Sequence, residues 1–270
     1  MTKITYVTAY LDIGRGKWNR FGRSFDTYLD HFLPLIELIK KDNEEKSSIS
    51  ELILYIDEKY FEKIILNCKE ILNFCTLIKI NLDFMKGKIL WNRLEKERSI
   101  LQSEEYKIRF HHRLHFPENS IAEYTLINHS KIDFVCDAIQ RTNSDYFCWM
   151  DFGYFQDKNR IPSSLLDLNK LDLDRINYTL INPIDNMDSD IYYTMDNAPE
   201  RIGGFFFFGS KKCMLEYQQL YHDIHLQFQQ MNLVDDDQHL ALRCFFSKPD
   251  LFKLHMLGGW HKALLYFQKN

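Results

Sequence analysis

The stretch "DYFCWMDFGY", Asp145 to Tyr154, decides the fold. Tyr146 to Met150 is an unbroken apolar run with no polar residue to face water. It predicts a strand at the centre of a sheet that is covered on both faces. Asp151 follows at once, an acid at the carboxyl end of that strand. Open α/β sheets bind ligands beyond the carboxyl ends of their strands. Asp151 is therefore either a ligand-facing acid, able to hold a divalent cation against a diphosphate, or a cap for the turn into Gly153. Asp151-Phe152-Gly153 is also the tripeptide that holds magnesium in protein kinases. A kinase needs a Gly-rich loop and an H-R-D catalytic loop as well. This chain has no H-R-D, and Asn19 stands where the third glycine of G-x-G-x-x-G would fall, which excludes the kinase and the Rossmann fingerprint together.

Working outward, "ITYVTAY" (4–10) and "ELILYID" (51–57) read as strands, and "CTLIKINLDF" (75–84) as a third. Between the first two, Phe21, Phe25, Tyr28, Leu29, Phe32, Ile36 and Ile39 recur at helical spacing, with Pro34 as a kink. The polar loop "EEKSSIS" (44–50) follows that helix. Lys88 to Glu105 reads as a charged, solvated helix. Ser120 with Glu123 forms a capping-box pattern that opens a helix to about Arg141. "INYTLINP" and "RIGGFFFFGS" are later strands, Ser210 to about Gln230 is a long helix, and a shorter helix follows "VDDDQ". Strands alternate with helices through the first 155 residues, which predicts a parallel α/β sheet. The later strands read as antiparallel additions on one side.

Composition narrows the function. A net charge of −4 and a pI near 6.2 give no reason to expect nucleic acid as a partner. The six cysteines include no C-x-x-C pair and read as buried free thiols of a reducing compartment. "MTKITYVTAY" lacks the apolar stretch of a signal peptide, and no run suits a membrane span. The expected location is the cytoplasm, with peripheral association at the inner membrane face left open.

Several clusters carry candidate chemistry. "YLDIGRGKWNR" sets Asp12 and Arg15 after the first strand, with glycines that let backbone N–H groups approach phosphate; a solvated turn reads the same way. Asp57 ends the second strand. Asp235, Asp236 and Asp237 open a helix, where acids suit the dipole. Asp236 or Asp237 could instead act as a general base on an acceptor hydroxyl, with Gln238 bonding a sugar. "LHMLGGWHKAL" gathers His255, Trp260, His261 and Lys262 on one loop that could meet a metal and phosphate. Gly203 and Gly204 before a buried strand suggest close approach by a sugar or by packing. "RFHHRLHF" (109–116) reads as a basic loop.

Taken together, "VTAYLDIGRGKW", "WMDFGY", "GGFFFFGS", "DDQ" and "GGWHKAL" resemble the HtrL/YibB-like family of bacterial proteins, over about Thr5 to Leu265. That family is similar to glycosyltransferases of GT-A type linked to lipopolysaccharide and other surface glycans. The resemblance implies one GT-A-like α/β domain over 1–270, with a nucleotide-binding half to about 155 and an acceptor half from about 156. It implies a nucleotide-sugar donor such as a UDP-sugar, a glycan or glycolipid acceptor, and manganese or magnesium. GT-A enzymes carry Asp-x-Asp at the end of a central strand, and here the second acid is replaced by Gly153. The loop from His255 is similar to the His-x-Gly-x-x-Lys loop of family 8 glycosyltransferases, with one residue more. On this basis Asp151 and His255 are the expected metal ligands. Asp12, Arg15, Asp57, His261 and Lys262 are the expected nucleotide contacts, and Gly203, Gly204 and Trp260 would line the sugar site. A sugar nucleotidyltransferase, or a non-catalytic glycan-binding protein of the same fold, is the alternative.

Overall fold

A computed structural model describes residues 2–45 and 49–269. Its strands are β1 (Lys3–Tyr10), β2 (Ile49–Asp57), β3 (Cys75–Ile80), β4 (Tyr146–Met150), β5 (Ile176–Leu180), β6 (Ile202–Ser210) and β7 (Phe252–Met256). They form one sheet in the order β3-β2-β1-β4-β6-β5-β7. β4 lies in the middle, parallel to β1 and antiparallel to β6. Its side chains alternate between two cores. Phe147 and Trp149 join the cluster on one face, with Val7, Tyr55 and Phe207; Cys148 and Met150 join the other, with Tyr6, Leu54 and Phe206. Coverage on both faces is why the run tolerates no polar residue.

The later strands depart from expectation. Only β6 runs against the rest, because β5 is antiparallel to β6 and β7 is parallel to β5. Reversal of β6 turns its first residues, Gly203 and Gly204, toward the edge where β1 and β4 end.

The helix Phe25–Glu44 keeps Pro34 inside and buries Phe25, Leu29, Phe32, Ile36 and Ile39, but it starts after the expected Phe21, because Ser24 caps it by accepting from Thr27 N–H. Residues 46–48 of the predicted polar loop lie outside the described residues. β3 stops at Ile80, because Asn81 caps a short helix, Leu82–Lys86, with a side-chain bond to Phe84 N–H. The charged segment after Lys88 is not one solvated helix: it breaks at Ser103, and Glu97 is buried against His225. The capping box at Ser120 does not form either. Ser120 Oγ bonds the Phe116 carbonyl instead, and the helix is split into Ala122–His129 and Lys131–Ile139 by Ser130. All six cysteines are free thiols, five of them buried. Among the described residues no helix is long and apolar enough to cross a membrane.

Candidate functional site

Two adjoining hollows open at the carboxyl ends of β1 and β4. Both are lined by Arg15, Tyr28, Tyr124, Asn128, Lys131 and Asp151. The first continues to Tyr10 and Asp12, and the second to Gly204, Asp237, Gln238, Trp260 and His261.

Asp151 is reached by two donors on one oxygen. Trp149 Nε1–H donates to Oδ1 at 2.8 Å, and the Lys131 ammonium forms an ion pair with the same oxygen at 3.0 Å. Lys131 Nζ also bonds Asp237 Oδ2 at 2.8 Å and the Gly204 carbonyl at 2.9 Å. Lys131 is buried, yet Asp151 and Asp237 hold its pKa above the ordinary value against the opposing effect of burial. Asp237 is affected in the other sense: burial raises it to about 7, with help from Asp236 and Asp151 and opposition from Lys131. Its proton affinity thus sits near the pH at which a general base works best.

Gly153 explains the missing second acid. A Cβ there would lie 2.8 Å from Cδ1 and Cε1 of the Tyr28 ring, so a side chain does not fit beside Asp151. Gly204 is equally constrained, because a Cβ there would collide with the Asp237 carboxylate. At Gly203 it would meet the Phe205 ring and, at 2.7 Å, Thr179 Oγ1. Packing against Asp237, Phe205 and Thr179 therefore accounts for both glycines, although Gly204 still forms part of the wall.

The remaining expected residues divide. Asp12 takes Gly14 N–H at 2.7 Å and the Tyr60 hydroxyl at 2.9 Å, and pairs with Lys59. Asp57 does not face the hollows. Its oxygens accept from the backbone N–H groups of Asp12 and Lys59 at 3.0 and 3.1 Å, so it holds the loop that carries Asp12. Arg15 lies within 6 Å of the Trp18, Tyr28 and Tyr124 rings, at 5.9, 5.8 and 5.4 Å from their centres. Trp260 and His261 line the second hollow, and His261 Nδ1 is buried without a hydrogen-bond partner among the described residues. Lys262 folds back on its own loop and donates to the Gly258 carbonyl at 3.2 Å. Asp236 caps the helix Asp237–Ser247, accepting from the N–H groups of Gln238 and His239. Behind it, Asp235 is fully buried between Arg113 at 3.1 Å and His239 at 2.8 Å. In the expected basic loop, Arg113 is thus part of the interior and Arg109 is held by Asp196 at 3.0 Å.

His255 is not brought to Asp151. It sits on β7 with Nε2–H donated to Asn177 Oδ1 at 2.8 Å and its ring edge-on to Phe267. Two groups among the described residues place ligand atoms within 4.8 Å of one another, Glu97-His129-His225 and Asp235-Asp236-His239. Neither includes Asp151 or His255. In the second, His239 Nδ1 and Asp235 Oδ2 already face each other at 2.8 Å, and Arg113 pairs with the other Asp235 oxygen at 3.1 Å. At the strand edge, an ammonium already stands between the two carboxylates. The residues expected to bind a divalent ion do not fit one as they are arranged.

Sequence reasoning missed Lys131, Tyr28, Tyr124 and Asn128. Lys131 had a signal: it is a lysine in "SKIDFVCDAI", a helix otherwise apolar on nearly every side, and it sits in the first turn, where the helix dipole disfavours a cation.

A mixed sheet in this order, with β6 alone reversed and acids gathered where β1 and β4 end, defines the GT-A glycosyltransferase fold. Core-mannan synthase A from Aspergillus fumigatus, in its Mn/GDP form, shares that fold with a TM-score of 0.50 at 10% identity, over 94% of this chain and 73% of the synthase. Mouse xyloside xylosyltransferase 1, apo form, aligns with a TM-score of 0.48 at 11% identity, over 94% and 85%. Within this class the chain belongs to the HtrL_YibB family, described as bacterial proteins of unknown function, whose model matches residues 2–269. Protein HtrL of Escherichia coli strain K12 is 29% identical over 285 residues, 98% of this chain and 93% of that protein.

Proposed function

We propose that this protein is a glycosyltransferase that moves a sugar from a nucleotide-sugar donor to a hydroxyl of a surface-glycan or lipopolysaccharide-type acceptor. The observation that carries the reading is the convergence of Asp151, Asp237 and Lys131 with Arg15 in the cleft at the strand edge of a GT-A sheet.

The nucleoside, a uridine in the simplest case, lies in the first hollow between Tyr10, Tyr28 and Asp12. Arg15 and Arg23 meet the diphosphate, whose growing charge is the main electrostatic demand of the reaction. His261 offers the unpartnered Nδ1 to the same part of the donor. Asp151 orients the sugar, with Trp149 fixing its carboxylate. Asp237 takes the proton of the incoming hydroxyl. Its Oδ2 is held by Lys131, while Oδ1 makes no hydrogen bond among the described residues. Gln238 and Trp260, across the second hollow, are placed for the acceptor or the transferred sugar. Manganese or magnesium, expected from the family resemblance, enters no step, because Asp151 and His255 do not form a site for it.

Isothermal titration with UDP, GDP and CMP tests the reading, followed by mass spectrometry of nucleotide sugars incubated with the protein. Binding of one nucleotide and slow release of sugar from its conjugate are expected. Failure of all three to bind removes the proposal.

A further inference from the structure

Lys131 Nζ has three acceptors, Asp151 Oδ1 at 3.0 Å, Asp237 Oδ2 at 2.8 Å and the Gly204 carbonyl at 2.9 Å. Two of its three N–H donors are hydrogen-bonded, to Asp237 and Gly204, and Asp151 pairs with the ammonium as a second counterion. The acceptors come from separate elements: the end of β4, the first turn of the helix Asp237–Ser247 and the start of β6. A lysine kept only for packing would need one counterion. Here two acids distant in sequence converge on it, in the wall shared by both hollows. Gly204 is free of a side chain where Asp237 comes in to meet it.

We propose that Lys131 is the built-in cation of this site: its ammonium occupies the place between Asp151 and Asp237 that a divalent ion would take, so nucleotide binding needs no added metal. This deepens the transferase reading and rests on it. The charges agree. Two carboxylates and one ammonium leave one negative charge, against two for the bare acid pair. The ammonium thus halves the charge that would attract a divalent ion, and it repels one at close range. The donor diphosphate is met by Arg15 and Arg23, which line the second hollow. Bonded to Asp237 and Gly204 and paired with Asp151, Lys131 is a positioning residue that holds the two acids in place.

The test uses the full chain. Manganese alone is titrated and its free fraction read by electron paramagnetic resonance, and nucleotide affinity is measured in EDTA and in manganese. The wild type is expected to take up no manganese that Asp151→Asn abolishes, and its nucleotide Kd should agree within about threefold under both conditions. Lys131→Met is expected to lose about tenfold or more in EDTA. It should also take up manganese at the bared acid pair and recover affinity with it. Lys131→Arg keeps the charge and should stay independent of metal, so it serves if Lys131→Met does not fold. Manganese uptake by the wild type that depends on Asp151, or nucleotide binding that needs manganese, overturns the proposal and leaves the transferase reading intact. If no nucleotide binds under any condition, the transferase reading falls, and manganese uptake by the unliganded wild type and Lys131→Met still decides the role of Lys131.

Discussion

Gly153 offers a sharp test of why this site has a single aspartate at the end of β4. A methyl group at 153 would stand 2.8 Å from two carbons of the Tyr28 ring, well inside contact distance. Tyr28 has limited room to retreat, since its ring packs on Tyr10 at 5.3 Å and lies beside Arg15 and Arg23 at 5.8 and 5.9 Å. Gly153→Ala should therefore carry an overpacking cost of about 1–3 kcal/mol. For a chain of this size that corresponds to a fall in Tm of roughly 2–12 °C. In a Tyr28→Ala background the ring is gone, and most of the cost should go with it. A double-mutant cycle by urea unfolding would then give a coupling of about 0.5–3 kcal/mol between the two positions. Gly153→Asp, which restores an Asp-x-Asp sequence, should be at least as unstable and gain no manganese affinity. Full stability of Gly153→Ala, or a cycle with no coupling, would refute the steric account.

Three further outcomes follow from the same geometry. The pKa of His239 is raised to about 9 in the folded state, so its contribution to stability is complete below its unfolded value near 6.5 and is lost as pH rises through 9. Urea unfolding at pH 6.5 and 9.5 should show a loss on the order of 2–3 kcal/mol that is absent in His239→Gln. Asp237→Asn should lower kcat/KM by about 100-fold or more. In the wild type the rate should rise with pH through about 7, as the carboxylate loses its proton; a flat profile would remove Asp237 as the base. Trp149→Phe deletes the 2.8 Å bond to Asp151 Oδ1 while keeping an aromatic ring in the core. It should reduce kcat with little change in nucleotide Kd, measured by steady-state kinetics beside calorimetry.

The elements that were legible in advance are those whose signal is local. "YFCWM" could be placed at the centre of the sheet because an apolar run that short and that complete is stable only with both faces covered. The long helix after Ser210 was legible as well, and its serine cap is a contact within one turn. Local signals also misled. Ser120 and Glu123 have the spacing of a capping box, but the Phe116 carbonyl competes for the serine hydroxyl. By sequence Asp236 and Asp237 are interchangeable candidates for the base, and the fold gives them separate tasks: one caps the helix and the other enters the cleft.

Sequence alone determined six of the seven strands, β7 excepted, with the α/β class and the presence of an acid at the end of the central strand. Each depends on periodicity or adjacency, and these are properties of neighbouring residues. Only the tertiary structure decided what that acid meets. The reversal of β6 brings Gly204 to the edge, the helix Asp237–Ser247 delivers Asp237, and the helix Lys131–Ile139 delivers the ammonium between them. His255, matched by motif to the same place, is held on β7 by Asn177. Such partners lie 106 and 20 residues from Lys131 along the chain, at Asp237 and Asp151, and no spacing rule links them. Electrostatic attraction acts through space, and the fold alone sets which charges are close.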